Sequence, residues 1–248
     1  MRYPIEKKFL ENILNKIATV PSNTEISIYF TGSYVDDKAT SGSDIDFLVI
    51  TPKECELMVI KHLKESFKGL IQEKIDCKVL IKEKWVDYLR DPKLYFFLFN
   101  QLQKGRLVCG SEVSLTLDPN RMNDYYDVIG REIQELRIYL HGNFVFEQTI
   151  VYMFGISKGL MNLFNLISPQ NQITLRNIWG NQLKRYGSVW ERHNVKGIIH
   201  FGTQEIMKGR KIKTSNDEIK RDYERLSNLY HQLTPMFRYW YKQKAIQV

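Results

Sequence analysis

Cysteine is scarce in this chain. Cys55, Cys77 and Cys109 are an odd number at spacings that fit neither a zinc site nor a disulfide framework. That excludes a disulfide-stapled scaffold and points to a reducing cytoplasm. Long apolar runs are missing too. The opening MRYPIEKKFLENIL has no unbroken apolar stretch of the kind a signal peptide needs, and the most apolar later segment, Val151 to Ile167, is interrupted by Lys158. Neither secretion nor a membrane span is expected. The five histidines form no H-x-x-x-H pair, so no zinc site is expected, and His193 and His200 near Glu191 read as ordinary helix or loop residues. Internal repeats, low-complexity tracts and long linkers are also absent.

What is present is basic charge and enough apolar matter for a core. The 248 residues are 43% hydrophobic, sufficient for one large domain or two modest ones. Thirty-six Lys and Arg against 28 Asp and Glu leave a formal charge of +8, which favours anionic partners such as nucleotides, RNA or an acidic protein surface.

Ile5, Phe9, Ile13 and Ile17 recur every four residues and predict an amphipathic helix ending before Pro21. A strand is expected over Glu25 to Phe30, then a Thr31-Gly32-Ser33 turn, a polar stretch to Ser43 and a second strand from Asp44 to Thr51. Leu57, Ile60, Leu63 and Phe67 mark a second helix closing near Gly69. A third strand, half-buried by its period, carries Ile75, Cys77, Val79 and Ile81. After a helix and a short strand or turn at Arg106 to Gly110, the strands are expected to stop at Pro119. Ile129, Ile133, Leu136 and Leu140 form a helical stripe, Ile150 to Ile167 reads as a buried helix, and Ser215 to Glu218 is a capping box opening a long helix that Pro235 is expected to kink. The fold class is α+β: a small mixed-sheet domain, residues 1–115, followed by an α-helical bundle, residues 116–248.

Asp44 and Asp46 alternate on the second strand, so they share one face while Ile45, Phe47 and Val49 point the other way. Like charges that close call for a cation, and oxygen ligands suit a hard ion such as Mg²⁺. Read alone, the pair is equally a turn cap and a solvated strand edge. Its company says more. Gly32-Ser33 follows a strand, where glycine admits a phosphate close to the backbone and serine adds a hydroxyl. Asp76, 30 residues beyond Asp46, offers a third carboxylate from the third strand.

Gly32-Ser33, ten residues, then Asp44-Ile45-Asp46 running into an apolar strand resembles the signature of the DNA polymerase β-like nucleotidyltransferase superfamily, in its aminoglycoside or minimal nucleotidyltransferase branch with a helical C-terminal domain. The resemblance covers residues 25–82 by motif. It implies that Gly32 and Ser33 hold a triphosphate with Lys38 as the nearby cation, that Asp44 and Asp46 bind two Mg²⁺ ions, and that Asp76 completes the metal site or acts as general base. The implied reaction is attack of an acceptor hydroxyl on the α-phosphate of an NTP, ATP foremost, with pyrophosphate leaving. The chain departs from the pattern after Gly32-Ser33, where many relatives have arginine and glycine and this sequence reads Tyr34-Val35-Asp36-Asp37-Lys38; Asp36 and Asp37 read as solvated loop acids.

The expected acceptor is a small hydroxyl compound of the aminoglycoside type, a tRNA end or a protein hydroxyl; the +8 charge suits the last two better than a polycation. The basic run MKGRKIK, residues 207–213, and Trp179, Tyr186 and Trp190 among basic neighbours read as surface and core before they read as an RNA platform. Glu147 is at once a candidate second-domain base and an ordinary first-turn glutamate. The alternative function is a non-catalytic nucleotide-binding or interaction module of the same fold.

Overall fold

In the computed structural model of the chain the described residues are 7–20, 25–35, 45–67, 75–142, 146–167, 177, 181, 198–201 and 216–246. Cα packing divides the chain into two units, Met1–Leu117 with Val195–Lys208, and Asp118–Asn194 with Gly209–Val248.

The first unit is built on a five-stranded sheet. Its strands are β1 (Ser27–Thr31), β2 (Ile45–Thr51), β3 (Ile75–Ile81), β4 (Arg106–Cys109) and β5 (Ile198–Phe201), in the spatial order β4-β1-β2-β3-β5. Helix α2 (Glu56–Ser66) crosses over between β2 and β3, and these two strands are therefore free to run parallel. All other pairings are antiparallel, so the sheet is mixed.

Both faces of the sheet are covered. On one, Ile28, Phe30, Ile45, Phe47, Val49, Ile75 and Cys77 pack with Leu10, Ile13, Leu14 and Ile17 of α1 (Lys7–Ile17) and Val59 and Leu63 of α2. On the other, Tyr29, Leu48, Ile50 and Leu80 pack with residues of α3 (Trp85–Arg90) and α4 (Pro92–Lys104), Leu98 and Phe97 among them. Helix α4 starts where the Asp91 carboxylate accepts from the Lys93 and Leu94 amides at 2.8 and 3.0 Å, with Pro92 in its first turn.

β2 is buried along its whole length except at Asp46, because its neighbours β1 and β3 close both flanks while helices close both faces.

The expectation that strands stop after Pro119 is corrected by β5, which pairs with β3 through Asp76↔His200 and Lys78↔Ile198. Ile198 to Phe201 is too short a run to show a period in isolation. It is fixed by the otherwise unpaired outer edge of β3, whose amide and carbonyl groups need partners.

The second unit is helical: α5 (Pro119–Gly142), α6 (Phe146–Ile167) and α7 (Asn216–Ala245). Buried Met122, Ile129, Ile133 and Leu136 of α5 share a core with Ile150, Phe154, Leu160 and Phe164 of α6 and Ile219, Leu226, Leu233 and Phe237 of α7. Helix α7 runs without a break through Pro235, whose ring has no N–H to give to the preceding turn. There the Thr234 hydroxyl donates to the Tyr230 carbonyl at 2.9 Å and lies 2.6 Å from the Tyr126 hydroxyl. Tyr126 stacks on Tyr230 and Phe237 at centroid distances of 4.9 and 4.3 Å. Ser215 of the expected capping box lies outside the described residues.

Candidate active site

The site begins where β1 ends. Thr31 is the last strand residue, and Gly32 turns the chain with a φ of +78°, a left-handed conformation that L side chains rarely adopt. Val35 N–H closes the turn by donating to the Gly32 carbonyl at 3.2 Å. The turn leans on Asp46. A Cβ added to Gly32 would lie 2.0 Å from Asp46 Oδ2, so the missing side chain is the space the carboxylate occupies.

The register explains why these groups meet. Thr31 lies opposite Asp46 in the β1–β2 pair, and Asp46 lies beside Asp76 in the β2–β3 pair. Adjacent strands are about 4.8 Å apart and register partners share a face, so the two carboxylates stand side by side on the face that carries Leu48, Ile50 and Leu80. Both are half-buried, between neighbours (Ile45 and Phe47, Ile75 and Cys77) that are buried against the opposite face.

The structure therefore brings together Gly32, Ser33, Asp46 and Asp76 of the residues expected from sequence, Ser33 being half-buried in the turn itself. Asp44 and Lys38, like Asp36 and Asp37, lie outside the described residues. Among the described residues, which include Asp46 and Asp76 but not Asp44, no three His, Cys, Asp or Glu side chains cluster as a metal site. Glu147 falls in α6, His200 is placed by its backbone in β5, and residues 207–213, Trp179, Tyr186 and Trp190 fall outside the description.

Cys77, between Asp76 and Lys78, is no nucleophile. Burial, with the Asp76 charge adding to it, pushes its thiol up to about 12. The three cysteines are free thiols.

Sequence reasoning missed Lys78. It follows Asp76 by two positions on β3 and so shares its face, and its Nζ lies 4.3 Å from the centroid of the Phe97 ring of α4. A lysine at an alternating position reads as a solvated edge. The signal that could have found it is its place between Asp76 and Leu80 on a face that is otherwise core.

The residues present fit a divalent cation: the donors are carboxylate oxygens, they come from two adjacent strands, and Gly32 leaves the room one of them needs. Among the described residues no helix is long and apolar enough to cross a membrane.

Residues 10–106 match the family model described as Nucleotidyltransferase domain, a span that holds Gly32, Ser33, Asp44, Asp46, Asp76 and Lys78. No curated protein matches the chain. Among solved structures the chain is similar to the spectinomycin adenyltransferase AAD(9) from Enterococcus faecialis, crystallised with ATP and spectinomycin, at 13% identity and a TM-score of 0.43, over 90% of this chain and 97% of that one. Residues 10–106 are thus similar to a nucleotidyltransferase domain, over 97 of the 248 residues.

Proposed function

We propose that the enzyme transfers a nucleoside monophosphate, AMP from ATP, to a hydroxyl acceptor with release of pyrophosphate, and that it depends on Mg²⁺. The observation that carries this reading is the Gly32 turn fitted against Asp46, with Asp76 beside it in register. The turn offers backbone amides and the Ser33 hydroxyl to the β- and γ-phosphates, with Lys38 adding charge. Asp44, Asp46 and Asp76 would hold a pair of divalent cations, and such ions would supply charge neutralisation for the attacking and leaving oxygens. Asp76, on the outer of the two parallel strands, is the group that takes the acceptor proton or completes the metal site. Catalysis then rests on alignment and charge neutralisation more than on covalent chemistry.

The acceptor class follows from charge. A net +8 favours an anionic acceptor such as a tRNA end or an acidic protein surface, and a polycation such as an aminoglycoside requires a locally acidic surface. Free thiols with Cys77 buried suit a cytoplasmic enzyme.

Incubation with α-labelled NTPs and separate pools of tRNA, protein and small hydroxyl compounds tests the reading. Label from ATP should enter one pool in a Mg²⁺-dependent way, and Asp46→Asn should lower that rate by at least about 100-fold, the scale on which removal of a transition-state charge partner acts. Labelling that survives Asp46→Asn unchanged would remove the carboxylates from the reaction.

A further inference from the structure

Helix α7 divides its charge by position. Its first turns hold Asp217, Glu218, Asp222 and Glu224, and Arg225 lies 3.6 Å from the carboxylate of the buried Asp222. After Glu224 the chain has no acidic residue, while Arg238, Lys242 and Lys244 follow. We propose that the C-terminal end of α7 is a docking surface for a single-stranded RNA end, with Arg238, Lys242 and Lys244 taking phosphates and Tyr239 stacking a base. The inference rests on the reading above for its choice of RNA, a polyanion whose ends carry free hydroxyls.

The helical repeat sets the surface. Leu226, Leu233 and Phe237 are buried in the bundle, and Arg238, Tyr239 and Lys242 lie together on the opposite, exposed side. Tyr239 is 69% exposed, and among the described residues no other aromatic side chain is exposed. Packing does not need its ring, because the stack of Tyr230, Tyr126, Phe237 and Tyr241 joins α7 to α5 without it. Among the described residues Arg238, Lys242 and Lys244 form no ion pair. The acids of the α5 segment alongside are engaged: Asp118 by the Asn120 amide at 2.8 Å, Asp124 by Arg121 at 3.8 Å and Asp127 by the Asn123 side-chain amide at 3.3 Å. The helix dipole accounts for cations in the last turn, but not for an exposed tyrosine beside them. Phosphates accept charge-assisted bonds from Arg and Lys, and an unpaired base offers a ring face to Tyr239. A membrane surface fits less well, because the apolar face that such a helix would lay in lipid is already buried in the bundle.

The test is fluorescence anisotropy of a labelled single-stranded oligoribonucleotide on the full chain, without nucleotide or Mg²⁺, across a series of KCl concentrations. Tyr239→Ala should weaken binding by at least about 5-fold, the low end of what one lost base stack costs. Tyr239→Phe should bind as wild type does. Arg238→Gln/Lys242→Gln should lower the slope of log K against log salt by about 1.4, the share of two phosphate contacts on a single strand. Lys61→Gln/Lys64→Gln on α2 removes the same charge from another exposed face and should leave the slope as it is. All these positions are exposed, so each variant should melt with wild type, and a loss of binding is then not a loss of fold. No RNA binding by wild type, or equal binding by Tyr239→Ala, would overturn the proposal. So would a control pair that lowers the slope as far as the α7 pair does, since the effect would then be one of net charge. Phosphatidylserine vesicles that bind through Tyr239 where RNA does not would put a membrane in place of RNA. Labelling from α-labelled ATP separates this proposal from the reading above. If RNA docks through α7 but label enters only protein or small compounds, the RNA acceptor falls and the surface stands. If the α7 variants bind RNA as wild type does and label still enters RNA, the surface falls and the acceptor stands.

Discussion

At the scale of single residues, Gly32 shows how a turn residue can set the geometry of a charge two strands into a sheet. Its φ of +78° would cost an alanine about 1–2 kcal/mol, and the added Cβ would collide with the carboxylate of Asp46. Gly32→Ala is therefore expected to lose activity out of proportion to stability: pyrophosphate release should fall by about 100-fold or more, while the melting temperature drops by only a few degrees. A variant that loses stability but keeps its rate would show that Asp46 tolerates displacement. The identities of these residues were legible from the chain alone, because Gly-Ser after a strand and an alternating acid pair are local patterns. Their mutual fit was not. It depends on the β1–β2 register, which places Thr31 opposite Asp46, and register is decided by the two apolar faces closing together. Lys78 escaped notice for the same reason, since its alternation predicts solvent on a face that α4 covers.

At the scale of elements, the helices were readable where an apolar stripe repeats over several turns, as in α5 with Ile129, Ile133 and Leu136. β5 was not readable, because four residues show no period and their partners lie 120 to 126 positions away in the chain. Pro235 was expected to kink the last helix; that helix runs from Asn216 to Ala245 with Pro235 inside it. Thr234 supplies hydroxyl bonds beside the missing N–H, one to Tyr230 within α7 and one shared with Tyr126 of α5. Thr234→Val keeps the shape and removes both. The helical unit should lose about 1–3 kcal/mol, the cost of leaving part-buried polar groups without partners, as measured by chemical denaturation followed at the aromatic near-ultraviolet bands of the Tyr126 stack. Unchanged stability would mean that water replaces the hydroxyl there.

At the scale of the whole molecule, both units bury acidic protons. Burial pushes Cys77 to about 12 in the sheet unit, and in the helical unit it raises Tyr152 to about 12 and moves Tyr125 and Tyr230 upward as well. Each group holds its proton more tightly folded than unfolded. Between the ordinary values of 9.0 for Cys or 10.0 for Tyr and the raised folded values, the unfolded chain therefore binds fewer protons than the native one, and stability falls as pH rises. Below about pH 9 this contribution is fully present. Melting temperature should consequently hold level to about pH 9 and decline steadily toward pH 12, with a shallower decline in Cys77→Ala. A flat profile through that window would contradict the burial of these groups.

The place of β5 in the sheet also bears on how the protein is made. Strand β3, which carries Asp76, pairs on its outer edge with Ile198–Phe201, so a ribosome that has delivered residues 1–117 has delivered an unfinished sheet. The transferase sheet can be sealed only after α5 and α6 have emerged. A fragment cut after Leu117 would present the bare outer edge of β3 to its neighbours.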